Sequence, residues 1–321
     1  MRITLKSLAD SLSVTQQRVI QKPPTPMNAL KNHDIPGRVT VFSGKGNLPA
    51  IRIQTETCDA EIYPHGAHVT TFQKKGEPPL LFMSGSSDFL PGKPIRGGVP
   101  VIFPWFGGRE GLPAHGTARI TPWNLTNSTL LPDGSVRLCF HLPCQEPANV
   151  EFIVTVGNSL TMELVVTNTG NADFSFENCL HTYFHVGDIH TTEVTGLKGA
   201  RYTDSLTATQ HVEEAESIRF IAETDRIYQD TTAIAEIRDP ALDRSIFVRK
   251  SSSKSTVVWN PWIDKSKRMP DFGDDEWPHM VCVESGNVKE NAITLAPGES
   301  STLKVEIDSA PLSGSAGSVV S

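Results

Sequence analysis

Two histidines stand four residues apart in the segment Glu177-Asn178-Cys179-Leu180-His181-Thr182-Tyr183-Phe184-His185-Val186. That spacing serves metal pairs on helices, but the glutamate of an H-E-x-x-H motif is missing and the flanking residues are strand formers. A metal site is therefore not indicated. His181 alone is equally well explained as a satisfied, half-buried histidine. Glu284 is the most conspicuous carboxylate. It follows the apolar run 280–283 and precedes Ser285-Gly286. A carboxylate emerging from a buried strand is costly unless it is paired or functional. Exposure at a sheet edge is the competing explanation.

Two further segments carry arginine. In Ile95-Arg96-Gly97-Gly98-Val99-Pro100 the paired glycines let backbone approach a ligand closely, and Arg96 beside them offers a guanidinium to an anion. A tight turn with a solvated Arg96 fits the same residues, and no P-loop pattern or following helix is present. In Leu112-Pro113-Ala114-His115-Gly116-Thr117-Ala118-Arg119, His115 and Arg119 share a face if the segment is a strand. A loop with a surface histidine is the alternative. Trp259 and Trp262 belong to a fourth unusual segment; tryptophans line sugar sites and fill cores equally readily.

The elements that must position these residues read as strands. Val150, Phe152, Val154 and Val156 alternate with polar residues, Gly157-Asn158 follows, and Leu160, Met162, Leu164 and Val166 alternate again. Such runs flanking a Gly-Asn pair predict a hairpin. Pro132-Asp133-Gly134 introduces a run at Val136, Leu138, Phe140 and Leu142, and Ala296-Pro297-Gly298 separates Ile293 and Leu295 from Leu303, Val305 and Ile307. Many alternating strands without long amphipathic helices between them predict an all-β sandwich or barrel. Residues 38–309 are expected to form one domain. Residues 1–37, with a short helix at about 5–21 and a proline-rich stretch at 22–26, read as a partly disordered extension, and 310–321 as a disordered Ser/Gly-rich tail.

Bulk properties narrow the function. The 321 residues carry a formal net charge of −7, which argues against a general nucleic-acid binder. It leaves room for an anionic small molecule held by a few arginines. The 5 cysteines are scattered without a C-x-x-C pair, so neither a zinc site nor a disulfide framework is expected, and a reduced, cytoplasmic compartment fits. No apolar run approaches the ~20 residues of a membrane span. The first residues lack the apolar core of a secretory signal.

Taken in order, these segments resemble a known family. The series begins near Glu61-Ile62-Tyr63-Pro64-His65-Gly66-Ala67 and continues through Leu80-Leu81-Phe82-Met83-Ser84, Arg96-Gly97-Gly98-Val99-Pro100, and His115-Gly116-Thr117-Ala118-Arg119. It then includes Leu180-His181-Thr182-Tyr183-Phe184, Glu223-Thr224-Asp225-Arg226-Ile227-Tyr228, Trp259-Asn260-Pro261-Trp262 and Cys282-Val283-Glu284. It resembles the glucose-6-phosphate 1-epimerases (hexose-6-phosphate mutarotases) of the wider aldose 1-epimerase, or galactose mutarotase-like, group. The resemblance implies a large antiparallel β-sandwich, a supersandwich, with the site in a cleft over one sheet. It implies interconversion of the α and β anomers of a hexose 6-phosphate by a monomer that needs no cofactor or metal and engages neither nucleic acid nor membrane. By position, His181 matches the catalytic acid and Glu284 the base. Asp225 matches a ligand of sugar hydroxyls, Arg96 and Arg119 the ligands on the phosphate side, and His115 a residue lining the site near the ring. The chain departs from the family at Ala114, where a substrate-binding glutamine is usual, and at Thr117, where an aromatic is usual.

Overall fold

A computed structural model describes residues 26–312. The expected helix at 5–21, nearly all of the proline-rich stretch and most of the tail lie outside these residues. The chain from 26 to 37 lies against the body of the protein. Leu30, in the turn of helix Met27–Leu30, is 1% exposed and joins the main core. The Ser128 hydroxyl donates to the His33 carbonyl at 2.6 Å, and the Val41 amide donates to the Asp34 carboxylate at 2.8 Å.

The regular structure of the described residues is dominated by antiparallel strands, with only short helical turns between them. Leu160–Asn168 alternates strictly between buried and half-buried positions, because side chains on a strand point to opposite faces in turn. It pairs with Ala148–Val156 through the three-residue turn 157–159, as the two alternating runs predict. Both belong to a nine-stranded sheet that also holds Val136–His141, Ser300–Pro311 and Arg244–Ser251. An eight-stranded sheet runs through Arg201–Asp204, Thr224–Gln229, Ser255–Asn260, Met280–Asn287 and Asn178–Leu180. A four-stranded sheet of Val39–Ser43, Pro49–Gln54, Cys58–Tyr63 and His68–Lys74 accompanies them. Side chains from all three sheets meet in one buried cluster, which is the core of the expected all-β sandwich.

The eight-stranded sheet does not alternate, and that is what makes room for a site. Ser255–Asn260 and Met280–Asn287 are buried at every position. Val281, Val283 and Val258 face the common core. Met280, Cys282, Val257 and Trp259 point the other way, into small clusters that loops cover. A strand covered on both faces reads as a continuous apolar run, so the run 280–283 marks a central strand. The edge-exposure explanation of Glu284 is thereby removed: it is 1% exposed.

Candidate active site

Strand register assembles the floor of the site. Asp225 lies opposite Trp259, Trp259 opposite Cys282, and Cys282 opposite Tyr183. Residues directly opposite in antiparallel strands share a face, so these form one row. Two residues along, Ile227, Val257 and Glu284 form the next row on that face. The neighbouring chain is interrupted here. Asn178–Leu180 pairs with 285–287, and Tyr183–His185 pairs with 280–282. His181 and Thr182 fill the gap between the two short strands, abreast of Val283 and Glu284. The His181 amide donates to the Pro100 carbonyl at 3.0 Å, which anchors this break.

The consequence is a direct contact: His181 Nε2 lies 3.2 Å from Glu284 Oε1. The His181 ring stacks on Tyr183, with centroids 4.9 Å apart and planes at 12°, and meets Trp259 edge-on at 6.0 Å. Its Nδ1 is buried with no hydrogen-bond partner. The Cys179 thiol lies 3.5 Å from the other Glu284 oxygen. Burial, reinforced by the charge of Asp225, pushes the Glu284 carboxyl well above the usual carboxylate range. Burial, with His115 and the Arg119 and Arg96 charges, pushes the His181 imidazole well below its usual value. Both shifts favour the neutral forms, so the buried pair resists carrying net charge.

The other sequence-selected residues fall on the same side, with changes of detail. His115 stands beside His181, with ring centroids 5.6 Å apart, and also meets Phe106 edge-on at 4.8 Å. Burial and the Arg119 charge lower His115 to about 3, so it is neutral at working pH. Of the two readings of this segment the loop holds, so the shared strand face does not arise. His115 lies in a loop at φ +63°, and Arg119 sits in a single 3-10 turn, Ala118–Ile120. Arg119 donates from Nη2 to the Ala114 carbonyl at 2.8 Å, whereas its buried Nε has no partner. Burial and the nearby Arg96 charge lower it to about 10. Asp225 is half-buried, and burial raises its carboxyl although the Ser205 side chain hydrogen-bonds it.

Arg96 is neither solvated nor free. Its Nε and Nη2 reach Asp271 Oδ2 at 3.2 and 3.0 Å, and its Nη1 donates to the Tyr183 hydroxyl at 2.9 Å. Gly97 and Gly98 serve this placement in a way other than ligand approach. A Cβ on Gly97 would meet the Phe82 carbonyl oxygen at 2.5 Å, and one on Gly98 the Val69 carbonyl oxygen at 2.3 Å. They let neighbouring backbone press against the Arg96 segment, with φ of +109° and +58°. Tyr183 and Asp271 are the residues that sequence reasoning missed. Tyr183 stands in a quoted segment and Asp271 in none, and only the fold shows that they orient Arg96 and His181. Trp262 lies elsewhere, packed on Trp277 at 4.4 Å and on His190 at 5.2 Å. His185 also stays outside, beside Pro79, Leu81 and His279.

This arrangement offers a buried acid–base pair beside two guanidinium groups. The family model for aldose 1-epimerase matches residues 49–308. The chain is 36% identical over 273 residues to a protein of Cenchrus ciliaris named "Putative glucose-6-phosphate 1-epimerase", covering 80% of this chain and 83% of that one. An Escherichia coli K12 protein of the same name is 36% identical over 252 residues, covering 76% and 84%. The crystal structure of a "putative mutarotase" from Salmonella typhimurium superposes with a TM-score of 0.80 at 30% identity, covering 87% of this chain and 96% of that one. The chain belongs to the aldose 1-epimerase family.

Proposed function

We propose that this protein interconverts the α and β anomers of a hexose 6-phosphate, glucose 6-phosphate being the substrate named for its relatives. The observation that carries the reading is the 3.2 Å contact between His181 and Glu284 beneath Arg96 and Arg119. Anomer exchange requires the hemiacetal ring to open. A base takes the proton of the C1 hydroxyl while an acid protonates the ring oxygen. The C1–C2 bond then turns, and the reverse transfers close the ring in either configuration.

The buried pair suits this cycle because it holds one proton in either of two arrangements. With Glu284 ionised and His181 protonated, it is ready to open the ring. After the two transfers, Glu284 is protonated and His181 neutral, which is the arrangement burial favours. Closure restores the first arrangement. The pair has no net charge in either state, and burial favours the neutral arrangement, so desolvation helps ring opening and is opposed on closure by the attraction between the two charges at 3.2 Å. Each well-placed proton transfer contributes about 10²–10⁴-fold. Asp225 is assigned to sugar hydroxyls, and His115, neutral, to the ring edge. Arg119 and Arg96 are assigned to the phosphate through their guanidinium groups. The cytoplasm, where scattered free thiols stay reduced, is the proposed compartment.

The test starts from pure α-glucose 6-phosphate, or α-glucose, and follows the approach to anomeric equilibrium by NMR above the spontaneous rate. Acceleration is expected for both, with a kcat/KM at least about tenfold higher for the phosphate, as loss of charge-assisted hydrogen bonds implies. Equal values for the two sugars contradict the phosphate assignment.

A further inference from the structure

Cys282 takes no part in these proton transfers, yet its thiol faces the groups that make them. It precedes Glu284 by two positions on Met280–Asn287, so both side chains leave the same face of the strand. One ligand atom from each of His181, Cys282 and Glu284 lies within 4.8 Å of the other two, and all three residues are buried. Imidazole, thiolate and carboxylate together form a donor set suited to Zn²⁺. Zinc bonds of about 2.0–2.3 Å place tetrahedral ligands roughly 3.3–3.7 Å apart. His181 Nε2 and Glu284 Oε1 are at 3.2 Å already. The thiol has to close by at most about 1.5 Å, within the reach of a side-chain torsion.

A second observation bears on how such an ion is held. Nδ1 of His181 is buried without a partner, so no hydrogen bond at that nitrogen fixes the ring tautomer. With the proton on Nδ1, the Nε2 lone pair is free to bind metal. Resident zinc sites differ, since their histidines donate the second ring N–H to a carboxylate or carbonyl. His181 lacks that support, and Arg96 and Arg119 add positive charge close by. The site is therefore suited to reversible capture of an ion. Three protein ligands also leave the fourth position open.

We propose that Zn²⁺ binds reversibly to His181, Cys282 and Glu284 and blocks anomer exchange in competition with the sugar. The inhibitory half rests on the function proposed above; the binding half does not. Binding displaces the proton shared by His181 and Glu284 and the thiol proton of Cys282, two in all, with no change of oxidation state. Affinity accordingly rises with pH. The groups facing this centre are His115, Arg96, Arg119, Asp225, Tyr183 and Cys179.

Cobalt(II) added to the full chain is the direct probe, because a thiolate ligand gives a near-ultraviolet charge-transfer band. The band is expected to saturate at one equivalent and to vanish on addition of Zn²⁺. It should be absent in Cys282→Ser and in Cys282→Ala, and retained in Cys144→Ser, which alters an exposed thiol. In the anomer-exchange assay, Zn²⁺ should inhibit reversibly, with EDTA restoring the rate. Cys282→Ser should still turn over and should need at least about tenfold more Zn²⁺, the loss expected for a removed ligand. A band that survives Cys282→Ser, or no band at all, overturns the site. If the band behaves as described but the protein exchanges no anomers, the functional reading fails and the metal site stands.

Discussion

Glu284 is a buried carboxylate that the proposed acid–base chemistry relies on. Its carboxyl is pushed well above the usual range, so the folded protein binds a proton there that the unfolded chain has released above about pH 4.3. Stability is therefore lost as pH rises from the unfolded value toward the folded one. His181 has the opposite linkage: its folded value lies below about 6.5, so its contribution is lost as pH falls. Glu284→Gln removes the first penalty while keeping the shape. Its melting temperature is expected to exceed that of the wild type at pH 8, the gap closing toward pH 4, as thermal melts across pH will show. A variant less stable at pH 8 contradicts the assigned direction. The suspicion attached to Glu284 in the sequence had a physical basis, because an apolar run ending in a carboxylate signals paid-for burial. His181 gave no such signal: a buried histidine is ordinary until its partner is known.

At the scale of elements, the break between Asn178–Leu180 and Tyr183–His185 is what brings His181 abreast of Glu284. Alternation made the hairpin strands legible, since each has one face in the core. It could not reveal this break, whose cause is pairing with a distant strand. The same limit explains the arginines. Arg96 and Arg119 were candidates in the sequence, but the Asp271 carboxylate that holds Arg96 comes from a loop 175 residues away. The spacing of His115 and Arg119 left strand and loop both open, and the chain takes a loop and a 3-10 turn. The difference between the arginines has a kinetic consequence. Arg119→Ala removes a guanidinium whose one protein partner is the Ala114 backbone carbonyl, so KM for glucose 6-phosphate should rise about 10–100-fold with kcat little changed. Arg96→Ala also strands the Asp271 carboxylate and frees Tyr183 beside His181, so kcat should fall as well. Steady-state kinetics on both sugars separates the two patterns. Identical effects of the two substitutions on kcat contradict the distinction.

At the scale of the molecule, one face of the eight-stranded sheet builds the core with its neighbours and the other carries the site. Stability and chemistry are thus separable. Phe152, fully buried on Ala148–Val156 and 6.2 Å from the Trp123 ring, lies in the core and not in the site. Phe152→Ala is expected to cost about 3–5 kcal/mol in denaturant unfolding while leaving KM unchanged below its melting point. A changed KM at full folding would show the two faces to be coupled. The sandwich was legible because its pattern is local and repeated. Packing of 26–37 on the body was not, since Met27, Leu30 and Ile35, which meet the core, are scattered among polar residues without a regular period. The most direct measurement is the anomer-exchange rate of folded His181→Asn at saturating glucose 6-phosphate, with the spontaneous rate subtracted. The acid–base account predicts a kcat lower by about 10²–10⁴-fold. A variant that retains most of the wild-type kcat would contradict it.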